Sequence, residues 1–345
     1  MTDRPDIKSL DRAGIERLVA ELGEPAFRAR QIIRWLYGRG AASFEDMSDL
    51  PAALRAKLES RYAVGSLALE ASETSSDGTR KYLWRLSDGV TVESVGIPAG
   101  DRLTVCFSTQ AGCAMGCTFC ATGRGGFVRN LTPGEMTDQV LRISDDMGRR
   151  VSNAVAMGQG EPFANYEATL AALRYLNSPD GPGIGARHLT VSTCGILTGI
   201  RRFSTEPEQF TLAVSLHSAI QRTRDTLMPG VRSYPLPQLR EALSAYATQT
   251  GRRPTLEYAL IADVNDSDAA LSALVTFCRG LLCHVNLIPV NPVKGSGFAR
   301  AAESRTRVFM AALAAASIES SLRAERGTDI SAACGQLRQK RLSGD

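Results

Sequence analysis

From Leu103 onward the chain alternates short apolar runs with helical stretches, and this alternation restricts the possible folds more than any other feature. "LTVCFST" is followed by a cysteine-bearing loop and the segment "PGEMTDQVLRISDDM", and "NAVAM" by a glycine loop and "YEATLAALRYLN". "HLTVST", "FTLAVSL", "TLEYALI" and "HVNLIPV" repeat the scheme, with helical segments such as "PLPQLREALSAYATQ" and "SDAALSALVTFCRG" between them. A βα series of this kind builds a parallel sheet or barrel whose functional loops follow the strands. Upstream, residues 8 to about 62 read as helical, because "IKSLDRAGIERLVAEL" and "EPAFRARQIIRWLYGRG" carry apolar residues three and four apart. Gly38 and Gly40 close the second of these helices. Between about 66 and 98 the period becomes two, and Ser87-Asp88-Gly89 marks a hairpin between two strand-like runs.

At 345 residues the chain exceeds the usual size of one domain. Four parts are expected: helical 1–64, a β-hairpin extension 65–100, a βα core 101–325 and a C-terminal loop 326–345. The charged N-terminus has no apolar core of signal-peptide type, and no apolar run approaches a membrane span. A cytoplasmic location without membrane contact is the expectation. In that reducing compartment eight cysteines are metal ligands, catalytic groups or core residues rather than a disulfide framework. A net charge of +4 permits a nucleic-acid partner without demanding one. The basic residues are almost all arginine, the lysines being Lys8, Lys57, Lys81, Lys294 and Lys340.

Three cysteines, Cys113, Cys117 and Cys120, gather in "AGCAMGCTFCATG" with spacing C-x3-C-x2-C. A structural zinc site is closed by four ligands. Cys106 is near enough in sequence to be drafted as the fourth, but "LTVCFST" reads as a strand interior. The other possibility is an iron–sulfur cluster held by three thiolates, with one iron left open for a substrate's amino and carboxylate groups. The triplet, with Phe119 before its last cysteine and small residues around it, resembles the radical S-adenosylmethionine (SAM) superfamily.

"MGQGEP" follows the next strand, "STCG" and "SLH" end the two after it, and "IPVNP" ends a later one. Glycines there let backbone approach a ligand, and Glu161 can accept from an ammonium group. Each loop alone is an ordinary strand cap. Repeated at one edge of successive βα units, they stand where such folds bind ligands.

Over nearly its whole length the sequence resembles the RlmN/Cfr family of adenosine methyltransferases. The likeness runs from "FRARQIIRWLYGRGAASFEDMSDLP" through "VCFSTQAGCAMGCTFCATG", "MGQGEP", "VSTCG", "AVSLH" and "NLIPVNP" to "RGTDISAACGQL". The resemblance implies a partial (β/α)6 TIM-like radical SAM barrel with a small N-terminal helical accessory domain and a β-hairpin extension. It implies a [4Fe-4S] cluster on Cys113, Cys117 and Cys120, and SAM, two molecules per turnover, met by Gly160, Glu161, Ser192, Ser215, Leu216, His217 and Asn291. It further implies Cys334 as an S-methylcysteine intermediate, Cys106 as the resolving thiol that forms a transient disulfide with it, and Glu93 as proton acceptor. Adenine C2 is not nucleophilic, so ordinary polar transfer from SAM fails there, whereas a thiol can carry a methyl group and a second thiolate can release it. Cys194, Cys278 and Cys283 match no family role and read as small core residues. Two departures stand out: Gln159 replaces the central residue of the family's usual "GMGEP", and Cys194 replaces another small residue.

The implied reaction is methylation at C2 of adenosine 2503 in 23S rRNA and of adenosine 37 in tRNA. The Cfr-type alternative is C8 methylation of the same rRNA adenosine, and the outside rival is a non-enzymatic zinc-bound RNA-binding module. Implied partners are 23S rRNA, tRNA and an electron donor such as flavodoxin or ferredoxin, with the enzyme a monomer. The arginine-bearing "RARQIIRWLYGRG" and the tail "RQKR" are candidate RNA contacts.

Overall fold

The computed structural model describes residues 4–65, 67–290, 297–327, 329 and 330. Its N-terminal part is helical: α1 (Arg12–Glu21), α2 (Phe27–Ile33), which continues through a π turn at Arg34–Gly38, and α3 (Ala52–Arg61). Asp11 caps α1 by accepting from the Gly14 amide at 2.7 Å, satisfying one of the donors a helix start leaves over. Residues three and four apart, such as Ile15, Leu18, Val19 and Leu22, bury together with Ile32, Ile33 and Leu36.

The period-two stretch forms β1 (Ala68–Thr74), β2 (Arg80–Arg85) and β3 (Thr91–Ala99), antiparallel to one another. The Asp-Gly turn is present: the Leu86 amide donates to Val90 at 2.8 Å, and Gly89 takes a left-handed φ of +84°. The extension is larger than a hairpin and is not a separate layer. β3 pairs antiparallel with β4 (Arg102–Cys106), so all three strands continue the main sheet.

From β4 the sheet is parallel. Its ten strands run β1-β2-β3-β4-β7-β8-β9-β10-β11-β12. The first connection holds a two-stranded ribbon, β5 (Gln110–Gly112) and β6 (Phe127–Asn130), with the short helix α4 (Ala121–Arg124) between them and α5 (Pro133–Asp146) after. Then come β7 (Asn153–Ala156), α6 (Tyr166–Asn177), β8 (Leu189–Thr193), α7 (Leu197–Phe203), β9 (Thr211–Ser215), α8 (Gln221–Leu227) and α9 (Leu236–Thr250). β10 (Thr255–Leu260), α10 (Asp268–Cys278), β11 (His284–Pro289), α11 (Glu303–Ala315) and β12 (Glu319–Leu322) complete the order. Six parallel strands are thus followed by helix, and a seventh ends the series. Among the described residues β1 and β12 are the sheet's edges, so the barrel is partial, as the resemblance implied.

Helix α5 starts on a capping box, Thr132 with Glu135, which fixes where the cysteine-bearing connection ends. It packs on the outer face of β2 and β3, where the Tyr82 hydroxyl donates to Asp146 at 2.6 Å. The helical N-terminal part docks on the same side. Lys8 holds Asp138 of α5 at 2.8 and 3.0 Å, both side chains buried, and Tyr37 stacks on Tyr175 of α6 at 3.8 Å. Arg30 and Arg34 of "RARQIIRWLYGRG" pair with Asp180 while their side chains stay exposed. No helix among the described residues is long and apolar enough to cross a membrane.

Candidate active site

The loops after the parallel strands meet at one end of the sheet, and their glycines are there because two loops touch. The Gly158 amide donates to Phe107 at 3.0 Å, the Thr109 amide to Gln159 at 2.8 Å, and the Glu161 amide to the Gln110 side chain at 2.9 Å. A Cβ on Gly158 would stand 2.6 Å from the Phe107 carbonyl oxygen. One on Gly160 would stand 2.7 Å from the Gln110 amide nitrogen, on a backbone with φ of +105°. "MGQGEP" is therefore locked to the strand end that leads into the cysteine loop.

That loop is just as tight. Gly112 and Gly116 take left-handed φ, the Cys113 amide donates to Gly126 at 2.8 Å, and a Cβ on Gly123 would stand 2.8 Å from the Cys117 nitrogen. Cys113 and Cys117 are buried, and Cys120 faces a cavity of about 470 Å³. Burial pushes the Cys113 thiol up to about 12 and raises Cys120 as well, with the neighbouring thiols adding repulsion. Neighbouring thiols, two of which resist ionisation, suit a cationic, sulfur-seeking group, which would supply positive charge. The donor chemistry of the loop suits an iron–sulfur cluster, while among the described residues no three ligating side chains are gathered around one metal position. Cys117 is shifted the other way, downward, because the Cys194 thiol donates a hydrogen bond to it. Cys194 thus packs against a small apolar cluster that includes Cys117, while Cys278 and Cys283 are buried in the main core.

On the inner face of the sheet, register brings together residues that are remote in sequence. Lys81 of β2 stands opposite Val95 of β3, and Val95 opposite Cys106 of β4. Glu93, two residues before Val95, shares this face. Its carboxylate lies 3.0 Å from the Lys81 ammonium, with both side chains buried. Glu93 and Cys106 line the same cavity as Cys120. Cys106 proves to be the last residue of β4 rather than a strand interior. Burial raises its thiol, against the opposing pull of Arg323, the Met157 amide and Lys81.

The described residues among the expected SAM positions lie at or just after the same strand ends. Glu161 is buried, and its carboxylate accepts from the Phe163 amide at 3.0 Å and the Cys194 amide at 2.6 Å, tying two βα loops together. Burial raises its carboxyl, and these amides oppose the rise. Ser192 and Ser215 are half-buried at the ends of β8 and β9, and Leu216 is fully buried. His217 lines the cavity with its ring edge against Phe119. Its Nδ1 accepts from the Ala259 amide at 2.9 Å, and burial lowers its pKa to about 3. The neutral ring therefore carries its proton on Nε2, a donor for a ligand. Asn291, Cys334 and the "RQKR" tail lie outside the described residues.

Residue motifs did not single out Lys81, Arg323, Gln110 or Arg224. Arg224 is a buried guanidinium that donates to the Cys194 carbonyl at 2.7 Å. Arg323 and Arg326 line the cavity just past β12. The available signal was weak: a rare lysine in the strand-like "RKYLWR", and two arginines ahead of "GTDI".

Residues 5–64 match the ribosomal RNA large subunit methyltransferase N-terminal domain, and residues 107–268 match the radical SAM superfamily. The probable dual-specificity RNA methyltransferase RlmN of Pelotomaculum thermopropionicum is 47% identical over 340 residues, 98% of this chain and 92% of the relative. The dual-specificity RNA methyltransferase RlmN of Anaeromyxobacter dehalogenans is 45% identical over 351 residues, 99% of this chain and 94% of the relative. The chain belongs to the RlmN family. The crystal structure of a radical SAM methyltransferase from Sphaerobacter thermophilus has the same fold, with a TM-score of 0.90 at 46% identity over 96% of this chain and 98% of that one. As an RlmN-family protein it is a SAM-dependent RNA methyltransferase of the radical SAM superfamily, which uses SAM and a [4Fe-4S] cluster. A non-enzymatic zinc module is excluded by that membership.

Proposed function

We propose that this enzyme methylates C2 of adenosine 2503 in 23S rRNA and of adenosine 37 in tRNA, acting as a monomer reduced by a flavodoxin or ferredoxin and using two SAM molecules per turnover. Bound by Cys113, Cys117 and Cys120, a [4Fe-4S] cluster with an open iron would supply the electron that cleaves SAM. The remaining work belongs to side chains. Glu161, with the loop glycine Gly160, Ser192, Ser215, Leu216, His217 and Asn291, binds and orients SAM. Cys334 takes a methyl group from one SAM onto its sulfur, that methyl group gives up one hydrogen atom to the radical formed from the second SAM, and its carbon bonds to the ring carbon, one electron being given up to an oxidised cluster that would accept it. Glu93 accepts the proton that the ring carbon loses. The Cys106 thiolate then attacks the Cys334 sulfur, the bond from that sulfur to the new carbon breaks with its electron pair left on the modified base, that carbon takes up a proton to become the methyl group, and a Cys106–Cys334 disulfide remains. The helices of residues 1–64 carry RNA contacts, and the splayed-out base enters the cavity.

The observation that carries this reading is that Glu93, Cys106 and Cys120 line one cavity. It is supported by the path of the chain toward Cys334. Arg323 to Arg326 line that cavity, and Asp329 accepts from the Ser76 amide at 2.9 Å in the turn that also holds the cavity residue Thr79. The test is mass spectrometry of rRNA and tRNA from a deletion strain. Loss of 2-methyladenosine from both supports the proposal. Loss of 8-methyladenosine instead assigns the Cfr-type reaction, and no change in either refutes both. In a Cys106→Ala enzyme, RNA joined covalently to Cys334 is expected to accumulate; normal product release would remove Cys106 from the resolving role.

A further inference from the structure

Phe127 and Val128 are 47% and 48% exposed, and among the described residues no other two large apolar side chains adjacent in sequence are left open in this way. Scattered exposed apolar residues are ordinary, but this pair is held out on a rigid support. The pairing of β5 with β6 shifts between Ala111 and Gly112, so Val128 is the extra residue of a bulge, which re-aims the side chains beside it. Behind the bulge the ribbon is pinned. A Cβ on Gly112 would run into the Gly126 carbonyl oxygen, which accepts from the Cys113 amide at 2.8 Å. Arg129 donates to Asp88 at 2.6 Å and to the two Glu135 oxygens at 2.9 and 2.7 Å, and the Gln110 side chain donates to Asn130 at 2.8 Å. Cys120 and Ala121 line the cavity, and only the short helix α4 and two glycines separate them from Phe127. The ribbon thus flanks the cysteine loop whose end forms part of the cavity wall.

We propose that Phe127 is a stacking platform for an unpaired RNA base next to the target adenosine, with Val128 extending its apolar surface. This rests on the reading that the target base is splayed into the cavity. A base drawn out of its stack leaves a neighbour with an uncovered π face, and unpaired RNA bases are recognised by stacking on aromatic rings. A ring fixed on a pinned ribbon loses little freedom on binding. Charge argues against an acidic electron-donor protein as the occupant. The ribbon's own Arg129 is taken up by Asp88 and Glu135, so the ribbon presents a ring and a valine rather than a cationic patch. Arg124, exposed at the end of α4, suits a single backbone phosphate.

The experiment uses the reconstituted full-length enzyme and a labelled 23S rRNA fragment bearing the target adenosine. It records the Kd for the fragment by fluorescence anisotropy, SAM cleavage without RNA driven by dithionite or by reduced flavodoxin, and thermal melting. Phe127→Ala is expected to weaken RNA binding ~10-fold, and Phe127→Trp to bind within ~3-fold of wild type. Both should cleave SAM at the wild-type rate with either reductant. An abasic nucleotide is placed in turn on the 5′ and the 3′ side of the target. At one of these it should weaken binding to wild type and leave Phe127→Ala unchanged, because there the contact is already lost. Unaltered affinity in Phe127→Ala, or a loss that neither abasic fragment cancels, overturns the proposal. Intact RNA affinity with loss of flavodoxin-driven cleavage alone also overturns it, and gives the ribbon to the electron donor. Should Phe127→Ala fail to fold, Phe127→Leu keeps apolar bulk without the π face: binding weakened at least ~3-fold supports stacking, and wild-type binding overturns it.

Failure of the reading beneath is a separate outcome. RNA joined to Cys334 in a Cys106→Ala enzyme, beside unchanged affinity in Phe127→Ala, refutes only the platform. Phe127-dependent binding of a fragment whose adenosine is never methylated refutes entry of the target base instead.

Discussion

Gln159 offers the sharpest test of how the strand-end loops are built. Its side chain is 1% exposed, and neither its Nε2 nor its Oε1 has a hydrogen-bond partner among the described residues. Its backbone is fully engaged, donating to Ser108 Oγ at 2.9 Å and accepting from Thr109 at 2.8 Å, so a substitution can change the side chain alone. Methionine has nearly the same length and volume and no polar atoms to desolvate. Leaving a buried amide unsatisfied costs about 1–3 kcal/mol, so Gln159→Met should stabilise the apoprotein by about 2 kcal/mol. With a urea slope of about 3 kcal/mol/M for a chain of this size, the midpoint should rise by ~0.7 M. Urea titration in a Trp35→Phe background isolates the signal of Trp84, which sits in the same sheet. A midpoint that is unchanged or lower would refute the reasoning, because the amide must then have a partner. Repeating the titration with SAM distinguishes a ligand partner: if SAM binds this amide, its stabilising effect must shrink in the variant.

Three further outcomes follow from the geometry. Burial holds His217 near 3 against an ordinary 6.5, so the unfolded chain binds a proton that the folded chain refuses, and stability falls as pH drops through that window. His217→Gln should remove about 1.6 kcal/mol of the loss between pH 6.5 and 5, read from urea midpoints of the apoprotein; an unchanged slope would contradict it. Lys8→Met strands the buried Asp138 carboxylate and should cost about 3–5 kcal/mol, with most of it recovered in Lys8→Met/Asp138→Leu; equal midpoints for the single variant and wild type would disprove the docking role. Gly160→Ala forces a Cβ against the Gln110 backbone on a left-handed residue and should cost about 2–4 kcal/mol and abolish SAM binding by calorimetry; retained binding would mean that the loop can move aside.

Much of the fold was legible because its signals are local. Apolar runs alternating with helical periods foretold the βα series, Asp88-Gly89 foretold its turn, and Thr132 with Glu135 marks where α5 begins. The antiparallel extension was seen only as a hairpin, since nothing in residues 68–74 says that a third strand joins or that β3 pairs with β4. The basic run at Arg28–Arg39 did not reveal that Arg30 and Arg34 pair with Asp180, a partner that lies far along the chain. Cys194 read as a small residue close to the cofactor loops, and only the fold shows its thiol against Cys117.

The order of residues by itself determined the repeating architecture, the cysteine triplet and the glycine loops, because period, spacing and backbone freedom are properties of neighbouring residues. Only the tertiary structure decided that Lys81 stands behind Glu93 and that both share a face with Cys106. Cross-strand register and the inward twist of the sheet set that arrangement, and a cation enclosed with a carboxylate acquires its meaning from the water both have lost.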